Sequence, residues 1–136
     1  MNIQVAVLCD AATQDRDSKL NILGTFDTIF AAQMPLVYPQ CTVALRVTFT
    51  SGDEGSRKLK VNFVNADGKS IMPPLEIPVT VAFPDDAHFL TSNFIFNIQG
   101  LKFSEAGLYS VDVRLDDKPE ASIPLWVKNS PLRPAA

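Results

Sequence analysis

Apolar and polar side chains alternate along several stretches of the chain. The clearest are Val43–Phe49, Leu59–Phe63 and Tyr109–Leu115, where every second residue is apolar and the residues between are small or polar. A period of two is typical of a β-strand that buries one side and exposes the other. The same reasoning, with less regular alternation, gives five further candidate strands: Ile3–Asp10, Lys19–Phe30, Leu75–Phe83, His88–Gln99 and Ala121–Lys128. No stretch has the period of an amphipathic helix, and Thr28–Gln33 has room for one helical turn at most.

Turn-forming residues separate these strands. Asn65–Lys69 contains Asp-Gly, the strongest hairpin signal in the chain, and Gly, Asp and Pro cluster at Ser51–Gly55, Pro84–Asp86 and Asp116–Pro119. Short strands spaced roughly 8–14 residues apart are typical of a β-sandwich. We predict an all-β fold, a single antiparallel β-sandwich that is immunoglobulin-like, with a C2-type strand order as the alternative. Residues 1–128 would form this domain, and residues 129–136, which lack periodicity, a flexible C-terminal tail.

The segment SEAGLYSVDV, residues 104–113, places Glu105, Gly107 and Tyr109 just before an alternating strand. In immunoglobulin-type sandwiches, a Tyr at this place donates its hydroxyl to a backbone group a few residues upstream, at the corner between two strands. Gly107 suits a corner that needs positive φ. A Tyr that simply packs in the core is the alternative. Val111 stands where antibody-type domains have a cysteine, which argues against that subclass.

The two cysteines, Cys9 and Cys41, bear on the cellular compartment. The N-terminal segment MNIQVAVLCDAA has no basic region before its apolar stretch, so it is interpreted as a strand and the protein as cytoplasmic. Alternation places both cysteines on the inward sides of their strands, where a disulfide across the sheets is geometrically conceivable. Buried free thiols are favoured instead, since the cytoplasm is reducing.

Charge and composition exclude some functions. The chain has 136 residues, 46% of them hydrophobic and 20% charged, and a net charge of −3. Binding to nucleic acid needs a clustered basic face, whereas the densest basic stretch, Arg57–Lys60, alternates with an apolar residue along a strand. No apolar run approaches the ~18–20 residues that span a bilayer. We therefore expect neither a nucleic-acid nor a membrane partner.

Catalytic chemistry is poorly represented. His88 is the single histidine, and a hydrolase would have to combine it with Ser92, Ser104 or a cysteine. No nucleophile elbow, catalytic-cysteine motif, phosphate-binding loop or zinc motif accompanies it. We predict a non-enzymatic interaction domain without a catalytic residue and without a cofactor.

Acidic residues concentrate in four connections, 10–18, 51–56, 84–87 and 116–118, which strict strand alternation places at one end of the sandwich. Carboxylates converging from several loops can bind Ca²⁺. Asp is also a favoured turn residue, so the pattern has a purely structural explanation. Cation or small-ligand binding is the alternative function, and its weak metal-ligand candidates are Asp10, Asp15, Asp17, Asp85, Asp86, Asp116 and Asp117.

The opposite end of the sandwich carries a proline-bounded apolar segment at residues 34–39. It supplies four candidate contact residues for a partner protein or a second subunit: Met34, Leu36, Val37 and Tyr38. Prolines at its ends reduce the entropy lost on binding. The alternative is a crossing loop that covers the open end of the core.

Several short motifs together resemble a bacterial family of small uncharacterised proteins, a domain of unknown function. They are Leu8–Ala12 (LCDAA), Lys19–Asp27 (KLNILGTFD), Asn97–Leu101 (NIQGL) and Ile123–Leu125 (IPL). The resemblance extends over nearly the whole chain and implies an all-β fold in the cytoplasm. The family has no established activity, so it transfers no catalytic or binding residue.

Overall fold

The structure, a computed structural model, describes residues 1–130. Within this range it contains nine strands and one 3-10 turn, Ser51–Asp53. The strands are β1 (Asn2–Gln14), β2 (Leu20–Phe26), β3 (Thr28–Ala31), β4 (Leu36–Phe49), β5 (Gly55–Val64), β6 (Leu75–Val81), β7 (Leu90–Phe103), β8 (Gly107–Leu115) and β9 (Lys118–Asn129). The sequence-based expectation of an all-β chain is confirmed.

The strands form two sheets. One has four strands in the order β2-β1-β4-β7, and the other has five in the order β3-β9-β8-β5-β6. All pairings are antiparallel except that of β3 with β9, which is parallel. The chain is therefore a β-sandwich, as predicted, with one short parallel pair at the edge of the five-stranded sheet.

The core lies between the sheets and is built from the alternating positions. Val43, Leu45 and Val47 of β4 are buried, as are Val61 of β5 and Val111 of β8. Burial of each such side chain contributes roughly 1.5–3 kcal/mol. Every second residue along these strands is apolar. The free energy of burial is therefore gained only if these residues all lie on the side of their sheet that faces the other sheet.

The predicted single strand Lys19–Phe30 is wrong, because the chain changes sheets within it. β2 ends at Phe26 in the four-stranded sheet, and β3 begins at Thr28 in the five-stranded sheet. At the crossing, the carbonyl of Asp27 accepts the backbone N–H of Trp126 at 2.8 Å. Residues 28–31 are accordingly extended and contain no helical turn.

The β1–β2 hairpin folds back over the outer face of the four-stranded sheet. The carbonyl of Ser18, at the hairpin tip, accepts hydrogen bonds from the side chains of Arg46 on β4 and Asn93 on β7. Thr42, which alternates with core residues of β4, is fully buried on this outer side. The hairpin thus covers the outer face of one sheet.

Cys9 does not point into the core, contrary to the sequence-based expectation. A bulge between Ile3 and Val5 shifts the alternation of β1, so that Leu8 pairs with Val43 and Cys9 with Thr42 on the outer side. Cys9 is nevertheless buried, and its thiol donates to the Thr42 carbonyl at 3.5 Å.

Cys41 is in the core, and both cysteines are buried free thiols, the arrangement that the sequence favoured over a disulfide. Burial raises the pKa of Cys41 to about 11. Burial also raises the pKa of Cys9, and the negative charge of Asp10 adds to that effect. Neither thiol is ionised to a useful extent at neutral pH, so neither is an activated nucleophile.

The predicted tail begins too early. Asn129 is the last residue of β9, and the N–H of Ser130 donates to the Ala31 carbonyl at 2.9 Å. Asn129 therefore belongs to the five-stranded sheet, and Ser130 is hydrogen-bonded to its edge strand β3. The remainder of the predicted tail, residues 131–136, lies outside the described residues.

Candidate interaction surface

Two large apolar side chains lie next to each other on the outer face of the five-stranded sheet. Leu108 of β8 pairs directly with Trp126 of β9, and they are 64% and 46% exposed. Pro124, two residues before Trp126, lies on the same face opposite Ser110. They line a shallow groove of about 570 Å³, which we call the Trp126 groove.

Alternation along β9 places these residues outward. Ile123, Leu125 and Val127 are buried, so the intervening Pro124 and Trp126 face solvent. Reading IPLWV as a sequence hides this division, because nearly every residue in it is apolar. The sequence does contain one signal: Trp126 lies between Leu125 and Val127, and if those two face the core, Trp126 faces solvent.

A lysine lies against the aromatic rings of this face. The Nζ of Lys128 is 4.5 Å from the centre of the Trp126 ring and 5.7 Å from that of Phe30, on the neighbouring strand β3. Cation–π contacts at exposed sites contribute about 0.5–1 kcal/mol each. They orient the Trp126 ring at the surface in the absence of any partner.

The rim of the Trp126 groove is polar and carries negative charge. Asp27 accepts a hydrogen bond from the Thr28 hydroxyl at 2.9 Å. Ser110 and Ser122 also line the groove, and their hydroxyls donate to the carboxylate of Asp112 at 3.0 and 3.2 Å. An apolar centre with a polar rim is the usual organisation of a protein interface.

The predicted corner supports this face from below. The hydroxyl of Tyr109 donates to the carbonyl of Glu105, and its ring packs edge-on against Phe103 with the ring centres 4.9 Å apart. Gly107 has φ of +149° and starts β8. The corner thereby sets how β8 enters the sheet and directs Leu108 outward beside Trp126.

Residues 34–39 are not the connection that the sequence suggested. Leu36 already pairs with Phe103 at the start of β4, and Met34, Leu36 and Tyr38 are half-buried against the core. Among the four predicted contact residues, only Val37 is strongly exposed, at 57%. The segment mainly completes the core, because alternation turns Leu36 and Tyr38 inward.

Three of the four acidic connections share one end of the sandwich, as strand alternation predicted. The ends of β4 and β8, the end of β6 and the start of β7 all meet there, since Phe49 pairs with Leu90 and Val81 with Gly55. The connection at 10–18 does not, because it belongs to the hairpin that folds over the four-stranded sheet.

Two of the predicted metal ligands, Asp15 and Asp116, have separate hydrogen-bond partners. Asp15 accepts the backbone N–H groups of Asp17 and Lys19, at 2.9 and 3.0 Å. Asp116 accepts the N–H of Lys58 and pairs with Arg57, and these two contacts lower its pKa. Among residues 1–130, no group of three or more His, Cys, Asp and Glu side chains is placed to hold a metal ion.

The candidate hydrolytic residues are not assembled either. His88 is exposed just before β7, and Ser104 is exposed just after it, so the 14-residue strand separates them. Ser92 pairs with Val47, on the side of β7 that faces the core. The structure describes no helix between residues 1 and 130 that is long and apolar enough to cross a membrane.

Comparison with known proteins gives a family and a distant structural likeness. A family model described as a family of unknown function (DUF6941) matches residues 4–128. An immunoglobulin-like protein from Pseudomonas aeruginosa is 13% identical, with a TM-score of 0.40, over 93% of this chain and 95% of that one. No curated protein matches. The fold assignment rests on the strand order and pairing of the chain itself.

Proposed function

We propose that this chain, which belongs to the family of unknown function DUF6941, is a non-enzymatic domain that binds a partner protein through the Trp126 groove. The observation that carries the proposal is the side-by-side exposure of Leu108 and Trp126 on a regular sheet. Contiguous exposed apolar side chains mark interaction sites, and Trp is enriched among the residues that dominate binding energy.

The exposed part of Trp126 is large enough to act as an anchor. Trp126 is 46% exposed, so about 100 Å² is available for burial by a partner. At ~25 cal/mol per Å², this burial contributes about 2–3 kcal/mol. That value is typical of a residue that dominates an interface.

The groove also indicates the chemistry of its partner. Leu108, Pro124 and Trp126 favour an apolar side chain at the centre. Asp27 in the groove lining, and Asp112 behind the two lining serines, favour a basic residue beside it. The net charge of −3 on the chain likewise favours a positively charged partner. We therefore expect a peptide or loop in which an apolar residue is flanked by Lys or Arg.

Cation binding, the alternative drawn from the acidic connections, has weaker support. Asp15 and Asp116 already have backbone partners, and their loops lie on different parts of the fold. Leu108 and Trp126, in contrast, stay 64% and 46% exposed even with Lys128 packed on the Trp126 ring.

Peptide display against the purified chain tests the proposal. We expect wild type to enrich apolar–basic peptides that a Trp126→Ala, Leu108→Asp variant does not bind. Trp126 is the single tryptophan of the chain, so peptide binding should also change its fluorescence directly. Leu23→Asp is the matched control, since Leu23 is similarly exposed elsewhere.

Val37→Asp tests the segment at 34–39 in the same assay. Loss of peptide binding in this variant, with binding retained by the groove variant, would move the contact site to the start of β4. Identical peptide selection by wild type and by the groove variant would contradict the proposal.

A further inference from the structure

β7 has an open backbone edge. The strand runs from Leu90 to Phe103 and pairs on one side only, with β4, at the end of the four-stranded sheet. Within residues 1–130, no backbone hydrogen bond joins it to any other segment. Half of its peptide groups therefore point toward solvent along an unusually long strand.

Both edge strands of the five-stranded sheet have protective features that β7 lacks. β6 carries Glu76 and Pro78, and β3 has only four residues. β2, the other edge of the four-stranded sheet, is also uncharged, but with seven residues it is half as long as β7. Charges, prolines, short length and curvature are the usual means of preventing edge-to-edge pairing. From Leu90 to Leu101, β7 has no charged residue and no proline, and Lys102 is its one charge.

The core is also incomplete along this edge. Phe94 and Phe96 face inward, since they pair with Leu45 and Val43 of β4. Those partners are fully buried, whereas both phenylalanine rings remain partly exposed. A further strand beside β7 would cover the flank of these rings.

We propose that a second copy of this chain supplies that strand, pairing β7 with β7 antiparallel about a two-fold axis. The two four-stranded sheets then form one continuous eight-stranded sheet. With the axis at Ile95, Asn93 lies opposite Asn97 of the second copy, and no like charges face each other. Because the open edge of β7 is uncharged, electrostatic attraction does not favour a charged partner over a second copy of the chain. The β7 strand of a second copy has the same length and can pair with the free N–H and C=O groups of this edge.

The expected area makes this association weak. About ten paired residues extend ~34 Å, and a strip ~10 Å wide buries roughly 350 Å² on each copy. The total of roughly 700 Å² is well below the ~1,200–2,000 Å² of stable complexes. We therefore expect a concentration-dependent dimer, with a dissociation constant on the order of 100 µM.

Sedimentation equilibrium of the full chain between about 5 µM and 1 mM tests self-association. We expect wild type to shift from monomer to dimer over this range. Ile95→Lys, which places two positive charges at the axis, should weaken the dimer at least tenfold while preserving the circular dichroism spectrum. A monomer at every concentration would overturn the proposal.

Cysteine trapping gives a second test that does not depend on the folding of the lysine variant. Thr91, Asn93, Ile95 and Asn97 are replaced singly by cysteine, with Ser56→Cys as an exposed control on another strand. The native thiols are buried and should stay silent. We expect the Ile95→Cys variant to form covalent dimers at least fivefold faster than the others. If the fastest rate is found instead at Thr91, Asn93 or Asn97, the result still supports pairing of β7 with β7, with the axis at that position.

Equal trapping rates at all positions, including the Ser56→Cys control, would overturn the proposal. The Leu108→Asp, Trp126→Ala variant separates this inference from the proposed function. It should lose peptide binding and keep the dimer, whereas Ile95→Lys should lose the dimer and keep peptide binding. Loss of the dimer in the groove variant would place self-association on the other sheet and overturn the β7 pairing.

Discussion

The hydroxyl of Tyr109 donates a hydrogen bond to the carbonyl of Glu105, four residues earlier in the chain. This contact joins the turn between the two sheets to the first residues of β8, while the Tyr109 ring packs against Phe103 at the end of β7. One side chain thus ties together the strand that leaves one sheet and the strand that enters the other. Leu108, directly before Tyr109, points to the opposite side and lines the Trp126 groove.

Tyr109→Phe should lower the free energy of unfolding by about 0.5–1.5 kcal/mol, the usual net contribution of one hydrogen bond. The ring contact with Phe103 is preserved in this variant, so the loss isolates the hydroxyl. Urea denaturation measures it. A variant as stable as wild type would show that ring packing alone maintains the corner.

Gly24→Ala should destabilise the β1–β2 hairpin for two reasons. Gly24 has φ of +69°, which costs a residue with a Cβ about 1–2 kcal/mol, and the added Cβ would press on the carboxylate of Asp10. Gly68→Ala is the matched control, because its φ is +78° and nothing lies within 4 Å of the added atom. Denaturation should show Gly24→Ala as the costlier of the two, and Asp10→Ala should remove the difference.

The stability of the chain should decrease at high pH because of Cys41. Burial raises its pKa from 9.0 to about 11, so the unfolded state loses this proton at lower pH than the folded state does. The stabilisation is complete below about pH 9 and disappears as the pH rises toward about 11. Melting temperatures of wild type and Cys41→Val, compared from pH 7 to 11, should converge or cross over this interval. Parallel curves would contradict the assignment.

Asp116 should contribute to stability at neutral pH and not in strong acid. The N–H of Lys58 and the guanidinium of Arg57 hold the pKa of Asp116 below its usual value of 3.8. Its contribution is therefore present above about pH 4 and lost as the pH falls through the lowered pKa.

Asp116→Asn is the appropriate variant, because Asn also accepts the positive φ of +49° at this turn position. We expect it to melt below wild type at pH 7 and together with wild type at the acidic end. Chemical denaturation from pH 2 to 7 measures the difference. A difference that does not change with pH would rule out the ionised carboxylate as its cause.

Much of the sandwich was predictable because alternation has a direct physical cause. Where one side of a strand is buried and the other is hydrated, as in Leu59–Phe63, apolar and polar residues alternate, and this alternation identifies the two faces. The corner at Glu105, Gly107 and Tyr109 was equally visible, since each contact that forms it lies within a few residues along the chain.

The failures have causes that no single segment reveals. The bulge after Ile3 reversed the face of Cys9, and the crossing at Asp27 divided a continuous apolar run between two sheets. At 34–39, prolines suggested a loop where pairing with β7 makes a strand. Each depends on which strand lies alongside, and that partner is more than 30 residues away in the chain.

The local pattern alone therefore determines the all-β class, most of the core and the corner, because these follow from the sidedness of a strand and from contacts between near neighbours. Tertiary structure decided which apolar residues remain exposed. Trp126 and Leu108 stay exposed on the five-stranded sheet, whereas the β1–β2 hairpin covers the outer face of the other sheet. Among residues 1–130, β7 is an end strand of the four-stranded sheet, which leaves its outer edge open. Exposure depends on what packs beside a residue, and distant parts of the chain supply those neighbours.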